Sequence, residues 1–318
     1  MRSISAEEID AALSYDTLIA ALAEAFRADI TVPLRHHHTI PQAGRDATLL
    51  LMPAWTDRAT HGGPRYLGCK IVSVFPDNRA SSRPSVYGSY VLMQGDTGAP
   101  LAVMDGTALT AWRTASASAL AAKYLAREDV AHLVMVGAGA LAPHLVRAHC
   151  CVRPISRVTL WNRTRARADA LAKQLALPGV RVTVTDDLEQ AVRDADIVSC
   201  ATLSNEPLVR GAWLRPGVHL DLVGAFRPGM RESDDAAVSR ARVFVDTMAG
   251  ATKEGGDIVQ PLQTGALRLD QVQGDLFGLT RGTARGRTSA DEITLFKSVG
   301  TALEDLAAAM LVWQRLKV

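Results

Sequence analysis

Three cations in the first part of the chain, Arg35, Lys70 and Arg113, have the types and placement to do chemistry. Arg35 follows Val32-Pro33-Leu34. Lys70 falls inside the apolar run Leu67 to Phe75, where an unpaired ammonium would be costly to bury. Arg113 follows Asp105-Gly106-Thr107-Ala108-Leu109-Thr110 and is expected at a helix start. A cation is badly placed beside the positive end of a helix dipole, so an anion is expected to meet it there. Together the three cations could hold a small carboxylate. A partly buried lysine can also have a lowered pKa and deliver a proton. The competing reading of each cation is a structural ion pair, with Asp105 as one partner.

A second constellation lies further on. Leu133-Val134-Met135-Val136 reads as a buried strand, and Gly137-Ala138-Gly139-Ala140-Leu141-Ala142 as a glycine turn that opens a helix. That is the phosphate-cradling start of a dinucleotide-binding unit. Gly137 and Gly139 permit the tight turn and close backbone approach, while the helix start offers free amides and a positive dipole end. Ala142 stands in for the third glycine. About 20 residues beyond such a turn, an NAD-preferring protein places an Asp or Glu on the ribose hydroxyls. Here the place holds Trp161-Asn162-Arg163-Thr164. Asn162, Arg163 and Thr164 would attract a ribose 2′-phosphate that a carboxylate would repel. The expected cofactor is therefore NADPH (NADP) rather than NADH, with Gly137, Ala138, Gly139, Ala140, Asn162, Arg163 and Thr164 as its binding residues. The competing readings are an ordinary tight turn and, for Arg163, a solvated surface charge.

Other features point to less. His36-His37-His38 invites a metal reading. Three consecutive residues cannot all point one way in a strand, and no Cys or acid cluster accompanies them, so no metal is expected. They are expected to line or flank the pocket near Arg35. Cys69, Cys150, Cys151 and Cys200 show no Cys-x-x-Cys spacing. They read as reduced thiols of a cytosolic protein. Asp234-Asp235 reads as a helix start, not a catalytic dyad.

The elements that must position these residues fall into two patterns. At 318 residues the chain is long enough for two domains. Strand-like runs at Leu49 to Met52, Tyr66 to Phe75, Tyr87 to Gln94 and Leu101 to Met104 follow one another without helices between them, which predicts an α+β module. Ser5-Ala6-Glu7-Glu8 is a capping box ahead of a helical pattern through Leu13, Leu18, Leu22 and Phe26. An Ala-rich helix from Thr114 to Ala126 leads out of this module. From Val130 on, strands alternate with helices, as in an α/β, doubly wound parallel sheet. Asp291 to Leu316 reads as one amphipathic helix that returns to the first module and makes it discontinuous. The exposed strands of that module and this helix could form a dimer contact. The predicted division is 1–127 with 293–318 for the first domain and 128–292 for the second. A net charge of +2 points to neither nucleic acid nor an anionic membrane as partner. No apolar run is long enough to span a bilayer, and the polar start Met1 to Asp10 has no apolar core, so a cytoplasmic protein is expected.

Longer motifs carry a family resemblance. Lys70-Ile71-Val72-Ser73-Val74-Phe75-Pro76-Asp77-Asn78, Met104-Asp105-Gly106, Arg113-Thr114-Ala115, Val223-Gly224-Ala225 and Thr294-Leu295-Phe296-Lys297-Ser298-Val299-Gly300 resemble the ornithine cyclodeaminase/μ-crystallin family. The resemblance implies a homodimer whose subunits each have a Rossmann domain and a discontinuous substrate-binding and dimerisation domain. It also implies that Arg35, Lys70 and Arg113 bind a substrate carboxylate. Lys70 and Arg113 are the candidate catalytic residues. Cyclodeaminases carry a catalytic Asp where this chain has Phe226 in Gly224-Ala225-Phe226-Arg227-Pro228-Gly229. A phenyl ring cannot exchange a proton with a substrate amine. The stretch is closer to the ketimine-reductase branch, which implies NAD(P)H-dependent reduction of small cyclic imine carboxylates to proline or pipecolate. The alternatives are an ornithine cyclodeaminase or alanine-dehydrogenase type of amino-acid enzyme and, in another class, a non-catalytic NADPH-binding protein.

Overall fold

The computed structural model describes residues 1–57, 63–81 and 83–316. It divides into two compact units, Met1–Arg113 with Thr301–Val318, and Thr114–Gly300. The chain begins with β1 (Arg2–Ile4), α1 (Ala6–Ala12), α2 (Tyr15–Arg27), β2 (Ile30–Thr31), β3 (His36–Ile40) and β4 (Ala47–Thr56). It continues through β5 (Tyr66–Val74), β6 (Val86–Gln94), β7 (Pro100–Asp105) and α3 (Gly106–Leu125). Next come β8 (His132–Val136), α4 (Ala142–Val152), β9 (Arg157–Trp161), α5 (Arg165–Gln174), β10 (Arg181–Val184), α6 (Leu188–Asp194) and β11 (Ile197–Cys200). Then follow β12 (His219–Leu222), α7 (Asp235–Arg240), β13 (Arg242–Val245), α8 (Met248–Glu254) and α9 (Gly256–Thr264). Last are β14 (Val272–Asp275), α10 (Leu276–Arg281), β15 (Thr294–Lys297) and α11 (Ala302–Leu316).

The first unit is a mixed sheet in the order β1-β7-β6-β5-β4-β2, with β3 also paired to β4. Alternation along its strands gives it two chemically different faces. Met52, Lys70 and Tyr90 lie in register across β4, β5 and β6, and all three are buried. α11 packs against β4, β5 and β6. The other face presents Trp55, Ile71 and Tyr87, which are partly exposed. The expected capping box is present, with Glu8 N donating to Ser5 Oγ and Ser5 N to Glu8 Oε2. The helical pattern behind it is two helices, because Ser14 is extended between α1 and α2.

The second unit is an all-parallel sheet in the order β10-β9-β8-β11-β12-β15-β13-β14. The order runs outward from β8 in both directions, so the doubly wound architecture expected from the alternating pattern is present. Its switch point lies between β8 and β11, where such folds bind ligands at the carboxyl ends of the strands. Val134, Val136, Val198, Cys200, Leu220 and Leu222 are buried in its core. Asp221, at the centre of the sheet, accepts hydrogen bonds from Ser118 and Ser199, and His149 Nε2 lies 3.1 Å from its carboxylate.

Two expectations are corrected. Asp291 to Leu316 is not one helix: Thr294–Lys297 is the fully buried strand β15, between β12 and β13, and only Ala302–Leu316 is helical. The run Ile293-Thr294-Leu295-Phe296, with two β-branched residues and an aromatic, suits a strand buried on both faces, and Gly300, at φ 82°, turns the chain into the helix. Second, α3 begins at Gly106, eight residues before Thr114. Asp105 Oδ1 accepts from the amides of Thr107 and Ala108 and caps it, so a stretch read as a turn is a helix start. The compact units divide at 113/114 and 300/301, and β15 lies in the parallel sheet. No helix among the described residues is long and apolar enough to cross a membrane.

Gly68, two residues from Lys70 on the same strand face, leaves room for the buried Tyr90 ring, since a Cβ there would fall on the phenol. Gly68→Ala is expected to cost about 2 kcal/mol in urea unfolding. Adding Tyr90→Phe should return part of the loss; equal stability of Gly68→Ala and the parent would contradict the packing.

Candidate functional site

In the first unit, the sheet and the last helix bring two of the three predicted cations together. Lys70 is only 3% exposed and Arg113 only 5%. Lys70 Nζ lies 2.8 Å from Asp305 Oδ1 and 2.7 Å from Oδ2. Arg113 donates from Nε to Asp305 Oδ1 at 3.0 Å and from Nη1 to Glu304 Oε2 at 2.6 Å. Lys70 also approaches Thr110 Oγ1 at 3.4 Å. Arg35 lies between β2 and β3 and is half-buried. Its charge acts on both Lys70 and Asp305.

Arg113 does not sit at a helix start. It lies in the interior of α3, away from the positive end of the helix dipole. Its anions come from α11, and Asp105 is occupied as a helix cap. Glu304 and Asp305 were missed by sequence reasoning. The available signal was an adjacent acid pair, Glu304-Asp305, inside a run otherwise fit for burial.

Burial brings the Lys70 ammonium down to about 8, against the opposing pull of Asp305; the positive charges of Arg113 and Arg35 add to the lowering. Asp305 is held below its ordinary value although burial works the other way, because Lys70 and Arg113 face it. One carboxylate thus already bridges the lysine and arginine heads. A lysine near 8 can exchange a proton at neutral pH.

In the second unit, Gly137 has φ 111°, and its amide donates to Trp161 O at 2.8 Å. A Cβ there would stand 2.6 Å from Ala201 O, so only glycine fits. A Cβ on Gly139 would meet nothing within 4 Å. Gly139 and Ala140 are exposed and Ala138 is half-buried, ahead of α4. This open turn at the switch point, directly ahead of α4, could hold a pyrophosphate. Asn162 is engaged inside the loop: its Oδ1 accepts from Ala138 N at 3.2 Å and its Nδ2 donates to Thr164 O at 2.8 Å. It therefore ties the second βα turn to the glycine turn. Thr164 is exposed and precedes α5. Arg163 is exposed and has no ion-pair partner among the described residues, whereas neighbouring Arg165 pairs with Asp186.

Phe226 is 42% exposed beyond the carboxyl end of β12, with the Arg227 guanidinium 5.7 Å from its ring centre. His36, His37 and His38 lie exposed along β3, the first and third rings 6.3 Å apart. Among the described residues no group of three or more His, Cys, Asp or Glu is arranged to hold a metal ion. Asp234 caps α7 through Ala237 N, as a helix-start residue does.

The model of the ornithine cyclodeaminase/mu-crystallin family matches residues 3–318, and the chain belongs to that family. It is 36% identical to the Delta(1)-pyrroline-2-carboxylate reductase of Colwellia psychrerythraea, over 99% of either chain. Among solved structures it resembles Thermococcus litoralis Delta(1)-pyrroline-2-carboxylate reductase in complex with NADH and L-proline, with TM-score 0.91, 32% identity, and coverage of 99% of this chain and 97% of that one. It also resembles an archaeal alanine dehydrogenase dimer with bound NAD, with TM-score 0.89, 29% identity, and coverage of 99% and 95%.

Asp305→Ala would leave Lys70 and Arg113 buried without the carboxylate they share. A loss on the order of 3 kcal/mol is expected at pH 7 by urea unfolding. An unchanged midpoint would show that the pair is not formed.

Proposed function

We propose that the chain is an NAD(P)H-dependent imine reductase. Its substrates are small cyclic ketimine carboxylates of the pyrroline-2-carboxylate and piperideine-2-carboxylate type, reduced to proline and pipecolate. The observation that carries the reading is the meeting of Lys70 and Arg113 on one buried carboxylate. Support comes from the relatives named as pyrroline-2-carboxylate reductases. Arg35, Lys70 and Arg113 hold the substrate carboxylate. Lys70 and Arg113 act as the catalytic pair, and the Lys70 ammonium gives a proton to the imine nitrogen. When bound, the dihydronicotinamide supplies the hydride that the imine carbon accepts. The C=N bond becomes CH–NH, and neutral Lys70 regains its proton from solvent.

Gly137, Ala138, Gly139 and Ala140 hold the pyrophosphate, while Asn162 positions this turn and the loop bearing Arg163 and Thr164. NADPH is preferred over NADH because exposed Arg163 is available to a 2′-phosphate. The discontinuous unit binds the substrate and dimerises through the face bearing Trp55, Ile71 and Tyr87, so the working protein is a cytoplasmic homodimer. Phe226 disfavours cyclodeamination, since its ring offers no proton acceptor. The likeness to an alanine dehydrogenase keeps ammonia-dependent reduction of pyruvate as the reading to compare.

The test is oxidation of NADPH and NADH at 340 nm with both cyclic imines, and with pyruvate plus ammonia. Cyclic-imine turnover preferring NADPH is expected, and its absence with both nucleotides would overturn the reading. Arg163→Ala should cut the NADPH preference about tenfold. Lys70→Met should lose at least about a hundredfold in kcat with nucleotide affinity kept. Because protonated Lys70 is the donor, turnover should fall as pH rises through about 8.

A further inference from the structure

At the carboxyl edge of the parallel sheet, a wholly buried carboxylate ties together two loops of the second unit. Glu232 Oε1 accepts from Thr202 N at 2.6 Å and from Thr202 Oγ1 at 2.7 Å. Its Oε2 accepts from Gly224 N at 2.7 Å. Thr202 follows β11 and Gly224 follows β12, which are adjacent strands. The approach is close enough that a Cβ on Gly224 would run into Thr202 and the Glu232 carboxylate. Thr202 in turn lies against the glycine turn: a Cβ on Gly137 would meet Thr202 Cγ2 at 3.2 Å and the preceding Ala201 carbonyl at 2.6 Å. The contacts therefore run from Glu232 through Thr202 to Gly137, across the switch point between β8 and β11.

The carboxylate is itself held from behind. Asp257 Oδ1, in the first turn of α9, accepts from Glu232 N at 2.8 Å and Ser233 N at 2.9 Å. Asp257 Oδ2 lies 3.4 Å from Lys297 Nζ at the end of β15. Glu232, Asp257 and Lys297 are all fully buried. Two carboxylates thus share one ammonium away from water, an expensive arrangement unless its geometry serves something.

We propose that Glu232 is a positioning residue for dinucleotide binding, whose carboxylate clasps the loops after β11 and β12 and so seats Thr202 against the Gly137 turn. The inference rests on the dinucleotide reading above and adds a residue that touches neither nucleotide nor substrate.

The clasp has a built-in dependence on pH. The charged or titratable groups facing Glu232 are Lys297 from β15, Asp257 from α9 and the Cys200 thiol from β11. Burial pushes Glu232 up to about 7; Lys297 opposes this and Asp257 adds to it. A protonated carboxyl carries a hydrogen on one oxygen, so one of the two backbone amides it now serves loses its acceptor. Acidification through about 7 therefore loosens the clasp. Its effect on global stability has the opposite sign. A carboxyl whose folded pKa is raised favours the folded state when protonated, and that contribution is lost as pH rises through about 7. A carboxylate with only a structural role would change stability without changing how nucleotide affinity varies with pH.

The experiment is a fluorescence titration of the full chain with NADH at pH 6.5 and pH 8.5, for wild type, Glu232→Gln and Thr202→Val, with thermal unfolding alongside. NADH is the probe because its phosphates do not titrate in this range. Wild type should bind about threefold more weakly at pH 6.5 than at pH 8.5. Glu232→Gln should bind about tenfold more weakly than wild type at pH 8.5, with a flat profile, and Thr202→Val should show part of that loss. A folded Glu232→Gln with wild-type affinity and profile would overturn the inference. If Glu232→Gln does not fold, wild-type affinity in Thr202→Val together with a flat wild-type profile would overturn it. Failure of the wild type to bind NADH or NADPH at either pH would overturn the dinucleotide reading itself, a distinct result.

Discussion

A carboxylate cut off from water must be met by hydrogen-bond donors or cations, or the fold that buries it loses more than it gains. Asp305 is such a carboxylate, and much of the first unit is arranged around it. Lys70 reaches it from the middle of a sheet strand and Arg113 from the interior of a helix. Gly68 leaves room beside them for the buried Tyr90 ring, and α11 supplies both Asp305 and Glu304. The cost of burying two cations is met within the protein by two acids. That keeps the cations ordered and charged in the interior. It also explains why Lys70 stops at about 8, because burial alone would take it lower.

The second unit applies the same principle to a different task. Glu232 and Asp257 are buried opposite Lys297, but their hydrogen bonds go mainly to backbone amides of loops. In the first unit buried charge presents cations; in the second it fixes backbone. Phosphate recognition by a glycine turn depends on amide positions to within a few tenths of an ångström, so backbone is what needs fixing there.

Much of this architecture was legible in the sequence. The parallel sheet followed from continuous apolar strands alternating with helices, and the glycine turn from Gly137 and Gly139 behind a buried strand. Lys70 stood out because a charge inside an apolar strand is hard to explain otherwise. What was not legible depends on distance in the chain. Nothing local to Lys70 or Arg113 says that their partners lie some 190 to 240 residues away, at Glu304 and Asp305. Arg113 was placed at a helix start because Asp105-Gly106 has the composition of a turn, although Asp105 in fact caps a helix eight residues longer at that end. β15 was absorbed into a helix because four buried residues in a row carry no period of their own. Asn162 was read as facing a ligand, whereas its amide is spent between two loops.

Recognition of a substrate carboxylate by Lys70 and Arg113 is the central proposal. The most direct measurement is calorimetric titration of the protein with pyrrole-2-carboxylate and, separately, with the neutral pyrrole-2-carboxamide. The two are nearly the same in shape, and neither can be reduced as an imine. The account predicts that the carboxylate binds at least about a hundredfold more tightly, the difference expected for a charge-assisted pair in a buried site. Equal affinities for the acid and the amide would contradict it.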